Sequence, residues 1–251
     1  SAAAARLESF NLQEMSNTVW SLAALGHRDV PLLSLIAARS LRTLPQFNEQ
    51  ELSMPAWSCA TFAFADLPLL EALASACVAS YLRFKPLGLT NVAWAFASLG
   101  LGHQGLFASI STAARLQIDG FEAQGLSNLA WSFAALHQED VHLLNAVSAE
   151  AIRKIATLKE ADIVGIAWAC ATVRHRHEPL LSALSTAAMC QMQDFSLQTF
   201  SNMAWSYATL DYGAPLCQAI SSWTTRRIEA FAASASLAAS AGGFPAPAEA
   251  R

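Results

Sequence analysis

Six tryptophans of this chain, Trp20, Trp57, Trp94, Trp131, Trp168 and Trp205, stand 37 residues apart at every step. A stride held this strictly marks a chain that repeats one supersecondary unit, and it constrains the fold before any local motif is read. Ten residues ahead of each Trp runs a second series, Phe10, Phe47, Phe84, Phe121, Leu158 and Phe195, which fixes the same frame. After Trp205 the register slips by one residue. Pro215 lies ten positions past its Trp, whereas Pro31, Pro68 and Pro179 lie eleven past theirs, and Phe231 is also one residue early. A single deletion in a loop accounts for both. Trp223 belongs to neither series.

Within a unit the pattern is helix, short loop, helix, short loop. In the fourth unit Leu126, Leu129, Ala130, Phe133, Ala134 and Leu136 share one apolar face at about 100° per residue, which predicts a first helix over 126–136. A second helix follows from about 141 to 155. Asp29, Glu139, Asp140 and Glu178 accompany Pro31, His142 and Pro179 at such starts, in keeping with acidic first turns and proline at the opening helical positions. Strand-type alternation is absent. Neither helix can hide its apolar face inside one unit, so the units must stack. The expected fold is all-α: a right-handed α-α superhelix (solenoid) of about six 37-residue helical hairpins over 10–231. Residues 1–9 align with the end of a preceding repeat, and 232–251, rich in Ala, Gly and Pro, read as a decayed cap with a disordered tail. A first residue of Ser rather than Met reads as a fragment or a processed chain.

Composition limits the function classes. Hydrophobic residues make up 54% of the chain but never form a run of about 18 or more, so no transmembrane segment is expected. A net charge of −4 gives no global electrostatic footprint for nucleic acid. Five cysteines without a CxxC spacing read as buried thiols in a reducing compartment. No Ser/His/Asp order, phosphate-cradling glycine loop or paired carboxylates recur, so neither an enzyme nor a cofactor is expected. "RHRHE" at 174–178 offers His-x-His without a second pair, too little for a metal site.

The polar residues that repeat carry the functional reading. On the first helices a stripe recurs opposite the apolar face: Asn17, Ser21, Ala24; Met54, Ser58, Thr61; Asn91, Ala95, Ser98; Asn128, Ser132, Ala135; Gly165, Ala169, Thr172; Asn202, Ser206, Thr209. It holds no charge, unlike an ordinary solvated face. Either small residues let neighbouring first helices approach while Asn ties the loop by side-chain to backbone bonds, or the stripe lines a groove where Asn amides, with Ser132 and Ser206 beside them, read base edges. The Trp beside the stripe reads first as a wedge between repeats, with base stacking as its alternative. Late in the second helices cations recur at Arg42, Arg115, Arg153 with Lys154, and Arg226 with Arg227. They suit helix C-termini, or form a phosphate-contacting ledge.

The units "FEAQGLSNLAWSFAAL" (121–136) and "FSLQTFSNMAWSYATL" (195–210) resemble the octotricopeptide-type helical repeats of organellar RNA-binding proteins. They are also similar to the arrays of FAST-kinase-like proteins and of the kinetoplastid mitochondrial RNA-editing substrate-binding complex. The resemblance covers about residues 10–231 and implies a solenoid gripping single-stranded RNA in a mitochondrion or plastid, acting in processing, stability, editing or translation. On the groove reading, Asn17, Asn91, Asn128 and Asn202 are the candidates for base contacts, and Arg42, Arg115, Arg153, Lys154 and Arg226 for phosphate contacts. Two departures stand out, a slightly shorter unit and an acidic overall charge. A protein-interaction scaffold within a ribosomal or RNA-processing assembly is the alternative, and other proteins of such a complex are the further expected partners.

Overall fold

The computed structural model describes residues 10, 12–27, 29–44 and 47–212, together with 221–223, 225 and 229. Among them every regular element is helical. The first helices of successive units, here the A row, are α1 (Leu12–Ala24), α3 (Glu49–Thr61), α5 (Pro86–Ser98), α7 (Ala123–Ala135), α9 (Glu160–Thr172) and α11 (Leu197–Thr209). The second helices, the B row, are α2 (Val30–Thr43), α4 (Leu67–Ser80), α6 (Gln104–Leu116), α8 (Val141–Arg153) and α10 (Glu178–Cys190). The all-α repeat solenoid read from the stride is therefore the observed fold. In the fourth unit the first helix starts three residues earlier than the hydrophobic pattern indicates, and the second ends at Arg153, followed by a separate 3-10 turn, Ile155–Thr157.

Each hairpin is opened and closed by local chemistry at fixed offsets. The B helices begin on a side chain that accepts from an amide of the first turn: Asp29 from Leu32, Asp66 from Leu69, His103 from Leu106, Asp140 from Leu143 and His177 from Leu180. These caps satisfy donors that a helix start leaves unpaired. The A helices end in a residue with positive φ, in turn Gly26, Ala63, Gly100, His137, Arg174 and Asp211. At Ala63, for example, the amide donates to Ala60 O and that of Phe64 to Cys59 O, the paired closure of a left-handed helix end.

At the far ends of α6, α8 and α10 a side chain ties the hairpin back to the start of its own unit. Gln117 donates to Phe84 O at 2.9 Å, Lys154 to Phe121 O at 2.6 Å and Gln191 to Leu158 O at 2.9 Å. The recurrent Phe/Leu of the second sequence series thus places a buried side chain in the core while offering its carbonyl to the brace.

Along the array the A helices pack side by side over their whole lengths, and the B helices touch more sparsely. The A row is therefore the side on which the units are joined most closely. Its core rows are Leu52, Leu89, Leu126 and Ile163, with Phe96 and Phe133 two turns on, all buried. Phe133 meets Phe107 of α6 edge-on at 5.0 Å between ring centres, a preferred aromatic geometry. Burial pushes the thiols of Cys59, Cys77 and Cys170 up to about 12, whereas Cys190 is exposed. No described helix is long and apolar enough to cross a membrane.

Candidate functional site

The six-residue tryptophan series forms a row on the A face. Trp57 and Trp94 lie 6.4 Å apart between ring centres, and Trp131 and Trp168 are also 6.4 Å apart with their planes 29° from parallel. Trp57, Trp94 and Trp168 pack partly onto the core, and all four stay half-exposed; Trp20 and Trp205 at the two ends are 48% exposed. The indoles are therefore wedge and surface at once.

Two hollows open along this row. The larger, about 640 Å³, spans α3, α5 and α7 and includes Trp57, Trp94, Asn91, Asn128 and Lys85 in its lining. The smaller, about 360 Å³, spans α7, α9 and α11 and includes Trp131, Trp168, Gly165, Asn202 and Glu160. Asn91, Asn128 and Asn202 thus reach the hollows that the repeat pattern points to. Asn17 is exposed on α1 and lines neither. None of these four side-chain amides hydrogen-bonds to another described residue. The loop-tying role open to them in the sequence finds no bond to support it.

The stripe is nonetheless divided, and two of its candidates are corrected. Ser132 and Ser206 are wholly buried between neighbouring A helices, as are Ser58, Ala95 and Ala169 at the same offset. Their hydroxyls donate back along the helix, Ser132 to Asn128 O at 2.6 Å and Ser206 to Asn202 O at 2.7 Å. Sealed and bonded, they cannot meet a ligand; they let backbones approach. Gly165 serves the same end, since a Cβ there would collide with the Ser127 hydroxyl of α7.

The cationic row is not gathered at the hollows. Arg42, Arg115 and Arg153 are exposed at the ends of B helices and line neither hollow. Arg153 also pairs with the buried Glu150 carboxylate at 2.9 Å. Lys154 is corrected: its ammonium donates to Asp119 O and Phe121 O at 2.7 and 2.6 Å and lies 3.2 Å from the buried Glu150 carboxylate, which ties both its hydrogen bonds and its charge into the fold. Arg226 and Arg227 lie outside the described residues. The cation that does line a hollow, Lys85, directly precedes α5. Two of the loop histidines, His103 and His177, serve as helix caps. His177 caps α10, and its ring lies 6.0 Å from that of His175, whose proton affinity is lowered, chiefly by burial and then by His177.

The sequence profile of the RNA-editing substrate-binding complex 6 protein matches residues 2–136, more than half of the 251. The chain belongs to that family. Within this RNA-editing substrate-binding complex 6 family match lie all three helices that wall the larger hollow, α3, α5 and α7. The smaller hollow draws α9 and α11 from beyond the match but repeats the same Asn-x-Ala-Trp text in α11. No curated protein matches the chain.

Proposed function

We propose that the chain is a non-catalytic, RNA-holding member of an RNA-editing substrate-binding assembly, gripping single-stranded RNA along its A face. The observation that carries this is the set of uncommitted asparagine amides beside half-exposed indoles, repeated from unit to unit. Amides recognise base edges, and a base stacked on an aromatic ring stabilises binding by roughly 1–3 kcal/mol. Since the arginines stand away from the hollows, stacking outweighs phosphate neutralisation and the salt dependence is shallow. Its other partners are proteins of the same assembly. The editing-complex family supports a mitochondrial setting over the plastid one that the octotricopeptide resemblance also allowed.

Intrinsic tryptophan fluorescence, titrated with a mixed-sequence single-stranded RNA at two salt concentrations, tests the proposal. Binding is expected to quench the signal, to be absent with duplex RNA, and to weaken about tenfold in a variant carrying both Trp57→Ala and Trp94→Ala, taking one stacking contact at the scale above. No quenching by any single strand would remove the RNA reading. Glu122 and Glu160 on the walls of the hollows, with the net charge of −4, favour the protein scaffold in that event.

A further inference from the structure

We infer that the smaller hollow is a guanine-selective nucleobase pocket, an assignment that rests on the RNA reading above and gives one unit of the array its own preference. At the offset where four units carry Asn, the fifth carries Gly165. With no side chain there, α9 closes on Ser127 of α7, and the hollow beside it is framed by Trp131, Trp168 and Asn202. A planar ligand entering there meets two indole faces whose centres are 6.4 Å apart. Two stacking intervals of about 3.4 Å come to nearly the same separation, so a slight spreading of the rings admits one base.

The wall of this hollow is set by Glu160 in the first turn of α9. Its Oε1 accepts from Thr199 Oγ1 at 2.5 Å and from the Ser196 amide at 3.4 Å, both from the next unit, so the carboxylate is held in place across the unit boundary. Among the described residues its other oxygen accepts no hydrogen bond. A carboxylate offers acceptors only, and its two oxygens have capacity beyond these bonds. Of the four RNA bases, guanine alone presents two adjacent donors on one edge, N1–H and the N2 amino group. Adenine and cytosine set an acceptor next to their amino group, and uracil flanks its single N–H with two carbonyls; each points a lone pair at the carboxylate. The larger hollow has a carboxylate too, Glu122, but among the described residues no hydrogen bond holds it in place, and the Asn91 and Asn128 amides, offering both donor and acceptor, share its wall with Lys85.

The test compares the 251-residue chain with its Glu160→Gln variant, using U-rich hexanucleotides that carry one central G, A, C or U, and free GMP as a separate arm. Glu160→Gln keeps the oxygen that Thr199 and Ser196 bond, so the unit boundary stays intact while one acceptor becomes a donor. The chain is expected to prefer the G-containing strand over the A-containing one by about tenfold, the scale of a single bidentate base contact. Glu160→Gln is expected to erase that preference and leave affinity for the all-U strand within about twofold. Equal affinity for G and A strands, or a preference that survives Glu160→Gln, overturns the assignment while the RNA reading stands. Failure of every strand to bind overturns both. GMP binding as tightly as the G strand supports the guanine pocket but assigns it to a free nucleotide and overturns the RNA reading.

Discussion

Neighbouring A helices meet through residues with no exposed surface at all, Ser58, Ala95, Ser132, Ala169 and Ser206, whereas the B row leaves large apolar side chains such as Leu35, Leu116 and Val141 in solvent. Both rows come from the same unit. The difference teaches where the array is joined: coupling between repeats runs through the A seam, and the B helices mainly close each hairpin through caps and braces. A repeat protein's stability is a sum of unit and interface contributions, so substitutions in the two rows should separate cleanly.

The sharpest break comes from a core ring. Phe133→Ala on α7 is expected to cost about 3–5 kcal/mol in denaturant unfolding, against less than about 0.5 kcal/mol for Leu116→Ala at the end of α6, a side chain on a residue 73% exposed. Next in size is the seam. Ser132→Leu should overpack it and cost roughly 1–3 kcal/mol, while Ser75→Leu on the exposed face of α4 stays within about 0.5 kcal/mol; equal losses would mean that the two rows are joined alike.

The B-row caps should matter less. Asp140 caps α8 through one carboxylate oxygen and accepts from Ser111 of α6 through the other, so Asp140→Ala is expected to lower stability by about 1–2 kcal/mol. At the A-helix ends the sign reverses: Arg174 sits at φ 53°, and Arg174→Gly relieves left-handed strain, which should raise the unfolding midpoint by an amount worth about 0.5–1 kcal/mol after glycine's larger chain entropy is counted. The smallest effect is expected at His175. Its folded-state pKa lies below the ordinary 6.5 because burial disfavours the charged ring, so the unfolded chain takes up the proton first. Stability is then full above 6.5 and declines as pH falls through that value; His175→Asn should flatten this part of a pH–stability curve.

How much of this was readable beforehand depends on whether a row repeats a residue or only a geometry. The Trp and Phe/Leu rows repeat a side chain, so the stride, the hairpins and the A-face asparagines could be read directly. The left-handed row repeats only a backbone angle and is filled by Gly, Ala, His, Arg and Asp; nothing in the text announces it. The B-cap row mixes Asp with His because both can present an acceptor to the first-turn amide, and the histidines therefore read as loose loop residues. A helical wheel sets Ser132 about 40° from Asn128 and gives no depth. Only the closeness of the next A helix shows that one is open and the other sealed. Lys154 was misread for a similar reason: its acceptors, Asp119 O and Phe121 O, lie more than 30 residues back in the chain.

The unequal joining of the two rows also makes the molecule a directional spring. Bending that spreads the sparse B side leaves the tight A seam as the hinge line, so the superhelix can change pitch while its indoles keep their order. A strand lying on that face would then tune the coil by its own length, shortening or lengthening the spiral rather than unzipping it.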